Sequence, residues 1–406
     1  MKTLLVIGHT FPEPSTTAAG SRILQILDLF LEAGYHVTFA STASLSEKSL
    51  LLSELGIQSE NIELNSDSFD DFIRNLNPQA VLFDRYISEE QFGWRVADQC
   101  PEALRVLDTE DLHFLRKARE EAVLKDNIPV EEANLFSETA KREIASMYRC
   151  DLSLLISEAE ITLLQDTFKV PKEVLYYVPF LAEGPMEALP SFNERSDFMT
   201  IGNLLHAPNV DSVQFLKKEI WPKIRKQLPE ASLHIYGNYA PQKISELHNE
   251  KEGFLIKGWV ENVEEVMKKA KVSLAPLRFG AGLKGKIFDA MRCGTPSVTT
   301  TIGSEGMHGS LPFAGCVCNT SEGIAEASVE IYTNEIMWLE AQERGFEIIQ
   351  KRFQKNDFSG AFLSKIERLQ KELLSHRQSN FIGEILQYHS MRSTMYMSKW
   401  IETKNR

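Results

Sequence analysis

The chain has 406 residues, 43% hydrophobic and 25% charged, with a net charge of −13. That length allows two domains with cores of ordinary size, while the negative balance argues against a general nucleic-acid binder. No apolar run reaches the ~18–20 residues of a membrane span, and five cysteines without a Cys-x-x-Cys pair suit a reducing compartment and exclude a disulfide scaffold.

From the start to about residue 180, short apolar runs alternate with helical patterns, as in a parallel sheet covered by helices. Leu4 to Ile7 is the first run. It is too short for a leader segment, is broken by Gly8, His9 and Pro12, and reads as a strand. His9 to Gly20 is a long loop of small and turn residues, Ser21 to Ala33 an amphipathic helix closed by Gly34, and His36 to Ala40 the next strand. The first loop lacks a Gly-x-Gly-x-x-Gly fingerprint, which argues against a dinucleotide enzyme, yet it lies where open α/β sheets bind ligands. Further strands are expected at Ala80–Phe83, Leu104–Leu107 and Leu152–Ile156. Five ionisable residues, Asp108, Glu110, Asp111, His113 and Arg116, follow the Leu104 run. The end of a parallel strand is where such folds place chemistry. A helix starting near Thr109 would put His113 and Arg116 on one face. Residues 117–148 read as charged helix with a break at Pro129, and Glu158 and Glu160 open another helix. Residues 181–196, rich in turn formers, read as a linker.

A second α/β series begins at Phe198 and runs through Gly202 and Asn203. Ser232–Ile235 with Gly237 and Ile256–Val260 supply its next strands, and Cys316 and Cys318 alternate as core residues of another. Its centre is the stretch from Lys271 to Met307. Val272–Ala275 is a buried strand stopped by Pro276. A loop with Gly280, Gly282 and Gly285, interleaved with Arg278, Lys284 and Lys286, leads into a helix over Gly285–Arg292 that Gly294 and Pro296 terminate. Ser297–Thr301 is a further strand and Gly303–Gly306 a second tight loop. A glycine loop between strand and helix lets backbone N–H groups approach an anion, and the helix start adds partial positive charge. Arg278 and Lys286 would add full charges. Asp289 lies three residues after Lys286 on the same face, and Lys284 lies off it. A diphosphate meeting Lys286 and the helix start, with a pair of sugar hydroxyls meeting Asp289 one turn deeper, describes a nucleotide-diphosphate site.

Residues 322 to 406 are largely helical, with late helices around 358–375 and 380–401. Residues 351–406 carry eleven Lys/Arg against five Asp/Glu, net +6, which leaves −19 for the rest. A basic segment on an acidic body points to peripheral contact with an anionic membrane. The expected location is cytoplasmic, at the inner face of such a membrane.

The central stretch resembles the donor-binding half of family-4 (group 1) glycosyltransferases with the GT-B fold. The resemblance rests on Pro276, Arg278, Gly280, Gly282, Lys286, Asp289-Ala290-Met291, Gly294, Pro296, Val298 and Glu305-Gly306-Met307. It is dense over residues 198–310 and holds only in outline before them. Where the family often has two Glu residues separated by seven others, this chain has Ala281 and Asp289. The resemblance implies an α/β protein of two facing Rossmann-like domains: residues 1–180 on the acceptor side, a linker over 181–196, a nucleotide-sugar domain over 197–355, and helices over 356–406. The last helix would brace the first domain through Tyr388, Met391, Met395, Met397 and Trp400. The implied activity is metal-independent, retaining transfer of a sugar from a nucleotide-diphosphate sugar, with no other cofactor, to a glycan or lipid-linked acceptor. Lys286, Arg278, His113 and Asp111 would act at the reacting centre. Gly20, Gly202, Asn203, Gly237, Gly280, Gly282, Lys286, Asp289 and Glu305 would hold the donor, and backbone near Ile256–Val260 the base. The alternatives are an epimerase or hydrolase of nucleotide sugars, and a non-catalytic donor-binding protein.

Overall fold

The computed structural model describes residues 2–405; the side chains of residues 390–392 and 405 lie outside the description. Among the described residues, seven parallel strands form the first sheet: β1 (Lys2–Gly8), β2 (Tyr35–Ser41), β3 (Gln58–Asn61), β4 (Ala80–Asp84), β5 (Leu104–Asp108), β6 (Leu152–Leu155) and β7 (Leu175–Tyr177). They lie in the order β3-β2-β1-β4-β5-β6-β7. Six more form the second: β8 (Ser196–Ile201), β9 (Leu233–Tyr236), β10 (Phe254–Gly258), β11 (Ala270–Ala275), β12 (Ser297–Thr299) and β13 (Gly315–Val317), in the order β10-β9-β8-β11-β12-β13. Both sheets are doubly wound, and each reverses direction beside its first strand. At such a reversal, adjacent helices leave on opposite faces and open a crevice at the carboxyl ends of the strands.

The apolar runs behave as the physics of buried strands requires. Leu4 to Ile7, Ala80 to Phe83 and Val272 to Ala275 are covered by helices on both faces and have almost no exposure. Helix α1 (Ala18–Glu32) starts earlier than its apolar pattern suggested, because the Thr17 side chain accepts from the Gly20 N–H and caps it. Helix α2 (Arg85–Gln99) follows β4 directly. Helix α3 (His113–Glu121) begins four residues later than the expected start near Thr109. Buried Glu143, on α4 (Glu138–Arg149), accepts from the His113 and Phe114 N–H groups and sets that start. Helix α5 (Glu158–Phe168) carries Glu160 in its first turn.

In the second domain, α6 (Ala207–Phe215) follows β8, and α7 (Gly285–Arg292) follows β11 as expected. The run expected as a strand over Ser297–Thr301 ends at Thr299. Thr300 caps a helical turn over Thr301–Ser304, which takes Gly303 and Ser304 of the expected loop and leaves Glu305 and Gly306 in a turn. Helix α8 (Glu335–Arg352) closes this domain through Trp338, Ile348 and Ile349. The chain then returns: α9 (Lys355–Lys371) packs Phe362, Ile366 and Leu369 into the core of the first domain. Where it crosses, it runs beside the outgoing linker. The Ala182 N–H donates to the Phe353 carbonyl at 2.7 Å, and the Lys355 N–H to the Ala182 carbonyl at 2.9 Å.

Helix α10 (Leu373–Ser379) leads to α11 (Phe381–Asn405). Helix α11 lies against α2 and α4 of the first domain, but the side chains expected to bury there do not. Tyr388, Met397 and Trp400 are 55–60% exposed, Met395 is half-buried, and Met391 lies outside the described residues. The contact is polar. Buried Arg95 donates to Ser398 and pairs with Glu402, and Asn380 donates to the Tyr148 carbonyl. Among the described residues, no helix is long and apolar enough to cross a membrane.

Candidate active site

A cavity of about 460 Å³ lies between the domains, within the range of small-molecule sites. Its walls are the segments that leave the carboxyl ends of strands. From the first domain come residues around Ala18 after β1, Arg85 after β4, and Glu110, Asp111, His113 and Arg116 after β5. From the second come Gly202, Asn203, His206 and Asn209 after β8, Gly237 after β9, Trp259 and Val260 after β10, and Gly280 to Asp289 after β11. The sequence-based donor residues Gly202, Asn203, Gly237, Gly280, Gly282, Lys286 and Asp289 therefore share one cavity with His113 and Asp111.

Lys286 stands in the first turn of α7, which no side chain caps. Its ammonium donates to Asn209 Oδ1 at 2.8 Å, and Asn209 in turn donates to the Asn203 carbonyl at 2.9 Å. Gly202 is required here, since a Cβ on it would stand 2.6 Å from the Asn209 amide nitrogen. Burial, with Lys284 nearby, lowers the Lys286 ammonium to about 7. One turn deeper, burial raises the Asp289 carboxyl to about 7, against the pull of Arg292. Asn209 was not assigned from the sequence. Only the fold brings it to Lys286, 77 residues away.

On the opposite wall, Asp111 takes Arg116 through Nε at 2.7 Å and approaches His113 Nε2 at 3.5 Å. Burial resists ionisation of Asp111, but Arg116 and His113 hold its carboxyl well below the usual range. Burial lowers both His113 and His206 to about 4, so each is a neutral imidazole at pH 7. Two non-glycine residues at this wall have left-handed backbones, Arg85 (φ 68°) and Glu110 (φ 59°). Such conformations cost free energy and cluster at working sites. Glu110 is buried, and its Oε1 has no hydrogen-bond partner. Burial first, and then Asp108, pushes its carboxyl well above the ordinary value. Local strain leaves no mark in a residue pattern: Glu110 entered only as one of five ionisable residues after the Leu104 run, and Arg85 was not singled out from the sequence.

Three residues assigned to the site from the sequence do not line the cavity. Arg278 does not line the cavity; it forms a two-pronged pair with Asp211 on α6. Glu305 is held by Arg119 of α3 through both oxygens, at 2.7 and 2.8 Å, and does not face the cavity. Gly20 faces its own loop, where a Cβ would stand 2.6 Å from the Glu13 carbonyl carbon, and Ala18 and Ala19 line the cavity instead. Lys284, expected off the Lys286–Asp289 face, also lines the cavity. It is buried and donates to the Ala281 carbonyl at 3.3 Å and to the Gly282 carbonyl, which ties down the glycine loop.

The loop is also gripped from the first domain. Glu160 accepts from the Gly282 N–H at 2.8 Å and from the Leu112 N–H at 3.0 Å, and Arg119 donates to the Gly280 carbonyl at 2.9 Å. A Cβ on Gly282, already at φ 63°, would stand 2.9 Å from Asp111 Cβ. Ala281, where the resembling family often has an acid, packs into the core of the first domain.

Residues 195–334 match the family described as Glycosyl transferases group 1. A search of the curated proteins finds no match. Among solved structures, the chain resembles a variant of TarM from S. aureus, in complex with fondaparinux, alpha-GlcNAc-glycerol and UDP. The TM-score is 0.70 at 10% identity, over 90% of this chain and 100% of that one. It also resembles sucrose-phosphate synthase from Thermosynechococcus elongatus (TM-score 0.67, 14% identity, 92% and 100% covered) and Anabaena HepE in complex with UDP and glucose (0.65, 12%, 90% and 99%). At these identities the likeness establishes the fold, two facing Rossmann-like domains in the GT-B arrangement.

Proposed function

We propose, from the group 1 glycosyltransferase domain that residues 195–334 form, that the chain transfers a sugar from a nucleotide-diphosphate sugar to a glycan or lipid-linked acceptor. The observation that carries this reading is Lys286 at the uncapped start of α7, with Asp289 one turn deeper in the same cavity. The diphosphate lies against Lys286 and the helix start, and the ribose hydroxyls meet Asp289. As the bond from the anomeric carbon to the diphosphate breaks, positive charge grows on the sugar and negative charge on the leaving group. Lys286 and the helix dipole stabilise the latter where water is excluded. His113, neutral and fixed by Asp111, faces the sugar as a hydrogen-bonding group. The acceptor enters from the first-domain wall, where Arg85 and Glu110 stand. Retention of anomeric configuration and independence of metal ions belong to this reading through the family resemblance, and the basic C-terminal helices supply its membrane-facing contact. The complex of HepE with UDP and glucose supports the choice of donor class.

The test is a panel of nucleotide-diphosphate sugars screened by thermal shift, followed by turnover of the best binder. Removing a group that stabilises developing charge costs ~2.7–4 kcal/mol, or roughly 10²–10³ in rate. Lys286→Ala should therefore fold normally, bind the donor more weakly and lose most of its turnover. Near-normal turnover at saturating donor would overturn the diphosphate assignment. Tight donor binding with no transfer or hydrolysis by the unmodified protein would favour a non-catalytic binding role.

A further inference from the structure

Glu110 destabilises the fold in two ways. Its backbone is left-handed, at φ 59°, a conformation that suits glycine or asparagine and strains a longer side chain. Both flanks are fastened there. On one side, Thr109 donates to the Leu154 carbonyl through its N–H at 3.2 Å and its hydroxyl at 3.0 Å. On the other, the Leu112 N–H donates to Glu160 at 3.0 Å. The side chain is then buried to all but 9% of its surface with Oε1 unpartnered, the second unfavourable term. What stays open lines the cavity. A strained residue with an unsatisfied carboxyl at a cavity wall points to a ligand that completes it.

The arginines beside Glu110 are already engaged. Strands β4 and β5 run side by side and end on Asp84 and Asp108, which are register partners. Arg22 donates to Asp108 Oδ1 at 2.9 Å and to the Val178 carbonyl at 2.6 Å. Arg85 lies 3.5 Å from Asp84. Two arginines are thus matched by two aspartates, and Glu110 is the third acid of the group. Burial, and then the neighbouring Asp108, hold its carboxyl toward the protonated form. An anion suits only that form, and an ammonium only the ionised one. A hydroxyl both donates and accepts, so it suits either. The loop after β1 brings Ser15, Thr16 and Ser21 to the same cavity, hydroxyl side chains without charge.

We propose that Glu110 binds the attacking hydroxyl of the acceptor, and that the acceptor unit at this wall is an uncharged sugar. The proposal rests on the reading of the cavity as a transferase site, and it names the group that turns the acceptor oxygen toward the anomeric carbon. A hydrogen bond that fixes the nucleophile acts on turnover, because it holds the reacting atoms near their productive geometry. When no acceptor is present, water takes the same place and is held by the same carboxyl.

The experiment uses the full chain and the nucleotide sugar that binds best in the donor panel. Release of the nucleoside diphosphate is followed in buffer alone, where water attacks, and with added methyl glycosides of neutral hexoses or of the matching uronic acids. Glu110→Ala should slow release about ten- to a hundredfold at saturating donor, with the donor KM unchanged. Glu110→Gln, whose amide also donates and accepts, should recover part of the loss. Glu110→Gly removes the strain and the orphaned carboxyl together, so it should melt higher than the unmodified chain while losing turnover like the alanine variant. At least one neutral glycoside should speed release more than its uronic counterpart. The proposal is overturned if Glu110→Ala keeps its turnover, if its donor KM rises as far as kcat falls, or if Glu110→Gly melts lower than the unmodified chain. Equal effects of neutral and uronic glycosides, or the reverse order, remove the uncharged-sugar assignment. If the unmodified chain releases no diphosphate from any sugar of the panel, the transferase reading itself has failed, a result distinct from failure at Glu110.

Discussion

Burial brings Lys286 and Asp289 to the same pH from opposite sides, the lysine down and the aspartate up, each to about 7. At pH 8 Lys286 is therefore mostly neutral in the free protein. A bound diphosphate raises its affinity for a proton, so nucleotide binding should take up a proton there. At pH 6 Asp289 is mostly protonated, and meeting ribose hydroxyls as a carboxylate should release one. Calorimetry in buffers of different ionisation heat measures both. Lys286→Ala should abolish the uptake at pH 8. Asp289→Asn should abolish the release at pH 6 and weaken nucleotide binding by about 1.5–3 kcal/mol. Lys284 carries a separate prediction. Its ammonium holds two carbonyls of the glycine loop, so Lys284→Ala should lower stability by roughly 1–3 kcal/mol and reduce turnover, read from the melting temperature and a donor assay. Sequence spacing placed it off the functional face, which is correct for a helix. It sits at the N-cap with a non-helical backbone (φ −97°, ψ 99°), and its side chain turns under the loop.

The elements around the cavity were legible because their signals are local. A strand of β-branched and aliphatic residues, a glycine loop and a helix stop fix β11 and α7 within one stretch of chain. Arg278, Glu305 and Gly20 fall outside the cavity for a related reason: the pattern names a loop but not the partner each side chain finds. Asp211 and Arg119, which take Arg278 and Glu305, come from distant parts of the chain. Helix α11 shows the same limit at larger scale. Its aromatic and methionine positions suit a buried face or an open one, and here Tyr388, Met397 and Trp400 face outward while Ser398 is buried. Deleting residues 387–406 should then remove little apolar burial. The main loss is that Arg95 gives up Ser398 and Glu402 and keeps its 2.7 Å pair with Asp70 and its place over the Trp94 ring. A stability decrease of about 1–3 kcal/mol is expected, measurable by melting temperature. Loss of the folded state on truncation would show that α11 carries core packing after all.

Across the whole molecule, the cavity is bridged by Arg119 with Glu305, Glu160 with the Gly282 N–H, and Lys48 with Trp259. Arg119→Ala and Glu305→Ala should each shift the protein toward an open form, seen as a larger radius of gyration in solution scattering. The double variant should show a coupling of about 0.5–3 kcal/mol. Additive effects would mean the pair does not hold the domains together. The two-domain plan itself could be read from two successive α/β series, but the closure could not, since each of its contacts joins residues more than a hundred positions apart. The chain passes between domains at two neighbouring points, Ala182 and Phe353–Lys355, which hydrogen-bond to each other. Two tethers that lie side by side act as a single axle. A swing about that line would leave each sheet and its covering helices intact, so opening the mouth would cost the bridges opposite the axle and the apolar contacts across the cleft, Ala281 in the first-domain core and Ile156 against Leu283 among them. In the proposed transfer, a product held by both walls would leave only as those bridges let go, so the swing would time each turnover.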